Sequence, residues 1–128
     1  MSTKQTVLTF TLPYPPTANK YWRNVKGRMV VSADARAYKE EVGWALKLKV
    51  KEPLPGDVYL KVRIFRPRKI GDLDNTLKVL LDALKGIVFL DDDQVVEIRA
   101  SRFDDKANPR AEVTVEARYG PPLGEGVR

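Results

Sequence analysis

Cysteine and histidine are both absent from the 128 residues of this chain. Without cysteine there is no disulfide framework and no thiol nucleophile, and zinc sites that use Cys and His are excluded. Without histidine there is no histidine general base and no triad built on one. A metal ion must therefore be held by oxygen ligands, which favours Mg²⁺, Mn²⁺ or Ca²⁺. Acid–base chemistry is left to Asp, Glu, Lys, Tyr or a metal-bound water.

Long apolar runs are also missing. No stretch approaches the roughly 20 residues that a membrane span requires, and the first ten residues lack the pattern of a signal peptide. We therefore expect a soluble cytoplasmic protein with no membrane partner. The length and the 43% hydrophobic content suit a single domain. We expect that domain to cover residues 1–118, and the Pro- and Gly-rich residues 119–128 to form a flexible tail.

The charge is unevenly distributed. The chain has 23 basic and 17 acidic residues, but residues 1–71 carry a net charge of +10 and residues 72–128 a net charge of −4. Two basic clusters stand out, the first of them beside Tyr21 and Trp22. The clusters are Lys20, Arg23, Lys26 and Arg28, and then Lys61, Arg63, Arg66, Arg68 and Lys69. Such clusters suit a polyanion such as nucleic acid, although a solvated basic face has the same composition.

Hydrophobic periodicity predicts an α+β fold. Alternation and β-branched residues indicate strands over residues 6–12, 29–31, 58–65, 94–102 and 111–118, with a loop over residues 17–27. Helical spacing indicates helices over residues 33–51 and 74–85, the second with Asp74 or Asn75 as N-cap and Gly86 at its end. This order predicts a mixed β-sheet with two helices packed on one face. On the first helix, Trp44 is expected in the core or in a dimer contact.

The acids of the second half are grouped. Asp72 and Asp74 stand two apart before a helix, and Asp91, Asp92 and Asp93 are consecutive in a turn. If the two segments meet, their carboxylates repel one another unless a cation such as Mg²⁺ neutralises them. Lys78, one helical turn after Asp74, could stabilise negative charge on a phosphate. Each acid could equally be a helix cap or a turn residue, and Lys78 a solvated partner of Asp74 or Asp82.

These motifs resemble one known family. The run Asp72-Leu73-Asp74-Asn75, with Lys78, Asp82-Ala83-Leu84, Gly86 and Asp91-Asp92-Asp93-Gln94, is similar to the RusA family of Holliday junction resolvases, which are often carried by prophages. The opening segment also resembles that family, at Leu12-Pro13-Tyr14-Pro15-Pro16, Asn19-Lys20-Tyr21-Trp22, Gly27-Arg28 and Val31-Ser32. The similarity spans about residues 6–118.

The resemblance implies specific roles. By position, Asp72, Asp74, Asp92 and Lys78 match the family's catalytic residues. Asp72, Asp74 and Asp92 would hold the metal, with Asp91 as a further candidate, while Asp93 falls where relatives more often have a small or neutral residue. The implied cofactor is Mg²⁺, with Mn²⁺ as a substitute.

The resemblance also implies an activity. It is that of a homodimer that makes paired symmetric nicks in four-way DNA junctions during homologous recombination and DNA repair. The basic clusters would bind the DNA. Two alternatives remain: a non-catalytic nucleic-acid-binding module whose aspartates are structural, and a metal enzyme acting on small phosphorylated substrates, which has no Gly-rich phosphate loop to support it.

Overall fold

The computed structural model describes residues 4–16, 22–69 and 73–119. Lys20, Asp72 and the predicted tail from residue 120 onward lie outside these ranges. In chain order the elements are β1 (Lys4–Pro13), β2 (Trp22–Val25), β3 (Arg28–Val31), α1 (Ala33–Leu46), β4 (Asp57–Arg66), α2 (Leu73–Leu84), a 3₁₀ turn (Asp92–Gln94), β5 (Val95–Asp104) and β6 (Arg110–Tyr119).

A four-stranded mixed sheet carries the domain, in the order β1-β6-β4-β5. β6 runs antiparallel to both β1 and β4, whereas β4 and β5 are parallel. Parallel neighbours need a crossover, and α2 lies in the connection between them. The end of β4, the whole of α2 and the turn before β5 therefore belong to one continuous stretch of the chain.

The core lies between the sheet and both helices, as the sequence pattern predicts. The clearest alternation is in β4, where Val58, Leu60, Val62 and Ile64 are at most 2% exposed. The helices contribute apolar positions at helical spacing, and residues after α2 complete the cluster. These are Tyr38, Val42 and Leu46 of α1, Leu80, Ala83 and Leu84 of α2, and then Val88 and Phe89. The predicted α+β class, with both helices on one face, is confirmed.

Both helix boundaries differ from the prediction. α1 begins after Ser32, whose Oγ accepts a hydrogen bond from the amide of Ala35, but it ends at Leu46 rather than residue 51. The chain there tightens, because the amides of Lys47 and Lys49 bond to carbonyls three residues back. α2 begins at Leu73, so Asp74 lies in its first turn and is not the cap.

Residues 22–31 form a two-stranded hairpin that the sequence reading did not predict in full. Met29 to Val31 were expected as a strand, but residues 22–25 were assigned to a loop and instead form β2. The two-residue connection has both residues at positive φ, 52° at Lys26 and 78° at Gly27. Positive φ at both central positions is the geometry of a type I′ hairpin turn.

Trp44 and the membrane expectation can both be compared with the structure. The side chain of Trp44 is 66% exposed, so it does not belong to the core of this chain.

Among the described residues, none of the helices combines the length and the apolarity needed to span a membrane.

Candidate active site

One face of α2 presents a row of charged side chains. Asp74, Lys78 and Asp82 follow at intervals of four residues and share a face of the helix, and Lys85 stands directly after its last residue, Leu84. The opposite face carries Leu80, Leu84 and other buried residues, which pack on the sheet. The amphipathic pattern of α2 therefore fixes which way the charged row points.

A pocket opens against this row. Lys78, Leu81, Asp82 and Asp92 line it, and its volume is about 280 Å³. Asp92 comes from the turn before β5, whereas the other three residues belong to α2. The structure thus brings together two of the predicted catalytic residues, Lys78 and Asp92, which are 14 positions apart in the sequence.

Hydrogen bonds around the 3₁₀ turn separate the roles of the neighbouring acids. Asp91 is the N-cap, and its carboxylate accepts a hydrogen bond from the amide of Asp93 at 3.1 Å. Asp92 instead directs its carboxylate toward α2, where Oδ2 lies 3.6 Å from Nζ of Lys85. All three acids are exposed. The capping geometry gives Asp91 a structural task, and Asp92 is the acid of this turn that lines the pocket.

Gln94 fixes the turn against the loop before β4. Its side-chain oxygen accepts hydrogen bonds from the amides of Leu90 and Asp91, at 2.9 and 3.1 Å. Its Nε2 donates to the carbonyls of Leu54 and Gly56, at 2.8 and 3.0 Å. Four bonds from one side chain hold the turn, and with it Asp92, in a defined position.

Two ion pairs border Lys78. Asp82 lies 3.3 Å from Nζ of Lys39, which comes from α1, and Asp92 pairs with Lys85. In the part of the chain that the structure describes, Lys78 forms no ion pair with a carboxylate. The alternative role of Lys78, as a partner of Asp74 or Asp82, is therefore not formed. Its ammonium group is available to an anionic ligand.

The structure describes only two of the three carboxylates of the predicted metal site. Across residues 4–16, 22–69 and 73–119 there is no group of three acidic side chains close enough to hold a metal ion. Asp72 lies outside the described residues, and Asp74 is one helical turn before Lys78. The three-carboxylate site of Asp72, Asp74 and Asp92 therefore stays a prediction.

The donor set of the pocket suits a hard divalent cation. Asp82 and Asp92 offer carboxylate oxygens, and the chain has no thiolate or imidazole donor to compete. Mg²⁺ in nucleic-acid enzymes is commonly bound by one or two carboxylates, with water and substrate phosphate completing its shell. Two carboxylates at a pocket that also holds Lys78 are compatible with that mode of binding.

The candidate DNA-binding residues differ in availability. Arg63 pairs with Glu112 at 3.3 Å, and Arg66 pairs with Asp104 at 2.5 Å. By contrast Lys61, Arg68 and Lys69 are exposed. In the hairpin, Lys26 and Arg28 are exposed at its turn, and Arg23 lies in β2. Lys20 lies outside the described residues.

The open face of the sheet carries arginines stacked on aromatic rings. Phe65 and Phe103 stack at 5.1 Å between centroids, and Arg110 lies 3.8 Å from the Phe65 ring. Arg110 donates hydrogen bonds to Asp105 and Glu112, which lowers the pKa of Asp105 and raises the pKa of Arg110. Of the basic cluster on β4, Arg63 is paired with an acid of β6 and Arg66 with an acid of β5.

Four residues of this region were missed or undervalued by the sequence reading. Asp82 lines the pocket, Lys39 and Lys85 pair with its acids, and Gln94 fixes the turn. The four-residue interval from Lys78 to Asp82 is a sequence signal that places both on one helix face. No comparable signal points to Lys39 or to the contacts of Gln94, because their partners lie on other segments.

Comparison with known proteins assigns the class. The sequence model described as endodeoxyribonuclease RusA matches residues 13–116. The crossover junction endodeoxyribonuclease RusA of Escherichia coli strain K12 is 37% identical over 110 residues, covering 82% of this chain and 90% of that protein. The proteins of the same name from Enterobacteria phage 82 and Shigella sonnei strain Ss046 are each 36% identical over the same shares. The α+β domain with its acid–lysine pocket is thus of the endodeoxyribonuclease class. Within that class, the chain belongs to the RusA family.

Proposed function

We propose that this protein is a Mg²⁺-dependent, structure-selective endodeoxyribonuclease that resolves four-way DNA junctions by paired symmetric nicks. Its setting would be homologous recombination and DNA repair in the cytoplasm. The observation that carries the proposal is the pocket in which Lys78 of α2 and Asp92 of the turn meet. In a member of the RusA family, those residues occupy the positions that the resemblance marks as catalytic.

Lys78 would act on the phosphodiester. Its ammonium group lies in the pocket without a carboxylate partner among the described residues, and it can donate hydrogen bonds to a non-bridging phosphoryl oxygen. Stabilising the charge that develops there, or on the leaving 3′ oxygen, lowers the barrier to cleavage.

Asp72, Asp74 and Asp92 would hold the metal ion, with Asp91 as a further candidate. When bound, Mg²⁺ or Mn²⁺ would supply an activated water and Lewis-acid neutralisation of the phosphate. When no metal ion is bound, Lys85 would hold the Asp92 carboxylate at the pocket through the ion pair between the two side chains.

DNA binding would use the cations that remain exposed. These are Lys26 and Arg28 of the hairpin and Lys61, Arg68 and Lys69 of β4 and its end, with Lys20 and Arg23 as further members. Arg63 and Arg66 would contribute less, because their charges are already paired within the sheet. Contacts of this kind recognise the phosphate backbone and not the base sequence.

A homodimer would supply the symmetry of the reaction. Resolution of a four-way junction requires two strands to be cut at equivalent places. Two copies related by a two-fold axis present two equivalent pockets.

Cleavage of a labelled synthetic junction tests the proposal. The protein is incubated with the junction, and separately with a linear duplex of the same sequence, with and without Mg²⁺. We expect symmetric nicks in the junction only, and only with the metal. Binding with steep salt dependence but no nicking under Mg²⁺ or Mn²⁺ would contradict the proposal and favour the non-catalytic binding module.

A further inference from the structure

One phenylalanine ring on the open face of the sheet is exposed. Phe103 of β5 stands opposite Phe65 of β4, and the two rings stack with their centroids 5.1 Å apart. Phe65 is 9% exposed, whereas Phe103 is 41% exposed. Phe103 thus covers its neighbour, while much of its own ring stays in contact with water. A large apolar ring in this position can still bury surface against a ligand.

Two arginines lie beside these rings, and both are paired with an acid. Arg63 lies 5.2 Å from the Phe103 ring and 5.3 Å from the Phe65 ring. Arg110 lies 3.8 Å from the Phe65 ring. Glu112 accepts an ion pair from each arginine, at 3.3 and 2.9 Å. Because these charges are compensated, this end of the face favours a ligand that stacks over one that binds by charge alone.

A free cation lies farther along β4. Lys61 is exposed, and in the part of the chain that the structure describes it forms no ion pair. It stands opposite Arg99 of β5, and like charges at facing positions repel each other. Glu97 pairs with Arg99 at 3.3 Å and compensates one of the two charges. One positive charge is left, so Lys61 is complementary to a phosphate group.

The exposed ring and the free cation share one face at a separation that suits nucleic acid. Phe65 and Lys61 are four residues apart on one strand, which is about 13 Å at the usual rise per residue, and alternate residues of a strand share a face. A few nucleotides, with their alternating flat rings and phosphates, span such a distance. We call this surface the β4–β5 strip. It consists of Lys61, Arg63 and Phe65 of β4 with Arg99 and Phe103 of β5.

The exposed ring also indicates which state of the nucleic acid fits. In a duplex the faces of the bases are hidden within the stack, so only an unpaired base can pack its face on a side chain. A four-stranded sheet with aromatic residues on its open face is one of the surfaces that bind such bases. Exposed cations suited to duplex phosphates lie instead on the hairpin, at Lys26 and Arg28.

We propose that the β4–β5 strip binds unpaired nucleotides of DNA, with a base stacked on Phe103 and a phosphate bonded to Lys61. This site rests on the proposed function only in taking DNA as the ligand, and it does not depend on the chemistry of the pocket. It specifies the part of the substrate that is recognised, namely a strand that is unpaired where the junction branches.

Binding of a single strand tests the stacking contact. The affinities for a short labelled oligothymidine and for a duplex of equal length are measured by fluorescence anisotropy. We expect Phe103→Ala to weaken binding of the single strand about tenfold or more, and Phe103→Tyr to retain it. Affinity for the duplex should stay unchanged in both variants, which also shows that they fold. The matched control is Trp44→Ala, which removes an exposed aromatic ring from α1 and should bind the single strand as wild type does.

Salt dependence separates the ring from the cation. For the single strand, Lys61→Ala should reduce the slope of log affinity against log salt by about 0.7, the value for one phosphate contact. Phe103→Ala should lower the affinity without changing the slope, because stacking releases no counterions. Lys51→Ala, which removes an exposed lysine after α1, is the control and should change neither quantity.

Two results would overturn the proposal. A wild-type protein that nicks junctions but does not bind the single strand would remove the β4–β5 strip as a site and leave the nuclease standing. Binding of the single strand that Phe103→Ala does not weaken would place the contact elsewhere. Conversely, binding that depends on Phe103 in a protein that does not nick junctions would support the strip and contradict the proposed nuclease.

Discussion

At the scale of single residues, the turn before β5 gives neighbouring carboxylates different tasks. Asp91 caps the turn, and Asp92 reaches the pocket and Lys85. From the sequence, Asp92 was chosen because its position matches a catalytic residue of the family. The structure adds a physical reason for that choice, since a carboxylate that accepts a backbone hydrogen bond is less available to a metal ion.

The first prediction concerns the acid that lines the pocket. Asp92→Asn should lower the single-turnover rate of junction cleavage about 100-fold, because a carboxylate at the reacting phosphate is lost. Asp93→Asn in the same turn is the control and should cleave within about twofold of wild type. The rates are measured under Mg²⁺ with enzyme in excess. Equal losses in both variants would mean that the turn, and not the Asp92 carboxylate, matters.

Gln94 should act as a positioning residue. Gln94→Leu removes the partners of two amides and two carbonyls, which should lower the free energy of unfolding by about 1–3 kcal/mol. It should also lower the cleavage rate while junction affinity stays unchanged, because Asp92 loses its support. Gln94→Glu keeps the acceptor and should recover part of the rate. Urea unfolding and single-turnover kinetics check both effects, and an unchanged rate in a destabilised Gln94→Leu variant would contradict the positioning role.

At the scale of elements, hydrophobic periodicity predicts the strands and helices that bury one face in the core. The alternation of β4 and the apolar spacing of α2 are direct consequences of burying one face, so both elements were predicted nearly to their ends. The hairpin strand β2 was not predicted, because its turn uses Lys26 at positive φ where an Asn-Gly or Asp-Gly pair would have indicated it.

From the sequence, only the types of residue in the candidate site and the helix face that carries them could be predicted. Oxygen ligands and a lysine follow from composition and spacing, and the α2 face follows from helical periodicity. The ion pair of Lys39 with Asp82 and the neutralisation of Arg63 by Glu112 join segments far apart in the chain. Such contacts depend on sheet order and helix docking, which periodicity does not specify.

The hairpin cations should contribute more to DNA binding than the paired arginines of the open face. Replacing both Lys26 and Arg28 with Ala should reduce the slope of log affinity against log salt by up to about 1.8, which corresponds to two phosphate contacts. Arg118→Ala is the control, since Arg118 pairs with Glu116 and stacks on Tyr59. Junction affinity is measured at several salt concentrations. A larger change in the control would show that DNA binds the open face.

The ion pair between the ends of β4 and β5 should be sensitive to acid. The hydrogen bond from Arg66 lowers the pKa of Asp104 below its usual value. A lowered pKa in the folded state stabilises the protein above the ordinary carboxyl value of about 3.9, and this contribution is lost as the pH falls through the lowered value. Arg66→Gln should therefore be less stable than wild type at pH 7, and the difference should be smaller at about pH 3, below the ordinary carboxyl value, as measured by urea unfolding. A constant difference at both pH values would contradict this ion pair.

At the scale of the whole molecule, the two faces of the sheet have separate roles. The helix side holds the core and the pocket, whereas the open face is a largely neutralised array of arginines, acids and aromatic rings. Exposed cations lie on the hairpin and at the end of β4, and the unpaired edge lies at β5. The exposed cations and the pocket are formed by different residues, so the proposed DNA binding and the proposed chemistry can be tested by separate substitutions.

The central claim is that Asp74 and Lys78 of α2 take part in cleaving the DNA, whereas the exposed cations bind it. It is tested most directly by measuring binding and cleavage of one labelled four-way junction by wild type, Asp74→Asn and Lys78→Gln under Mg²⁺. We predict that both variants cut at about one-hundredth of the wild-type rate or less. Asp74→Asn should bind the junction at least as tightly as wild type, because a negative charge near the phosphates is removed. Cleavage by Asp74→Asn and Lys78→Gln at the wild-type rate would contradict the assignment of this site.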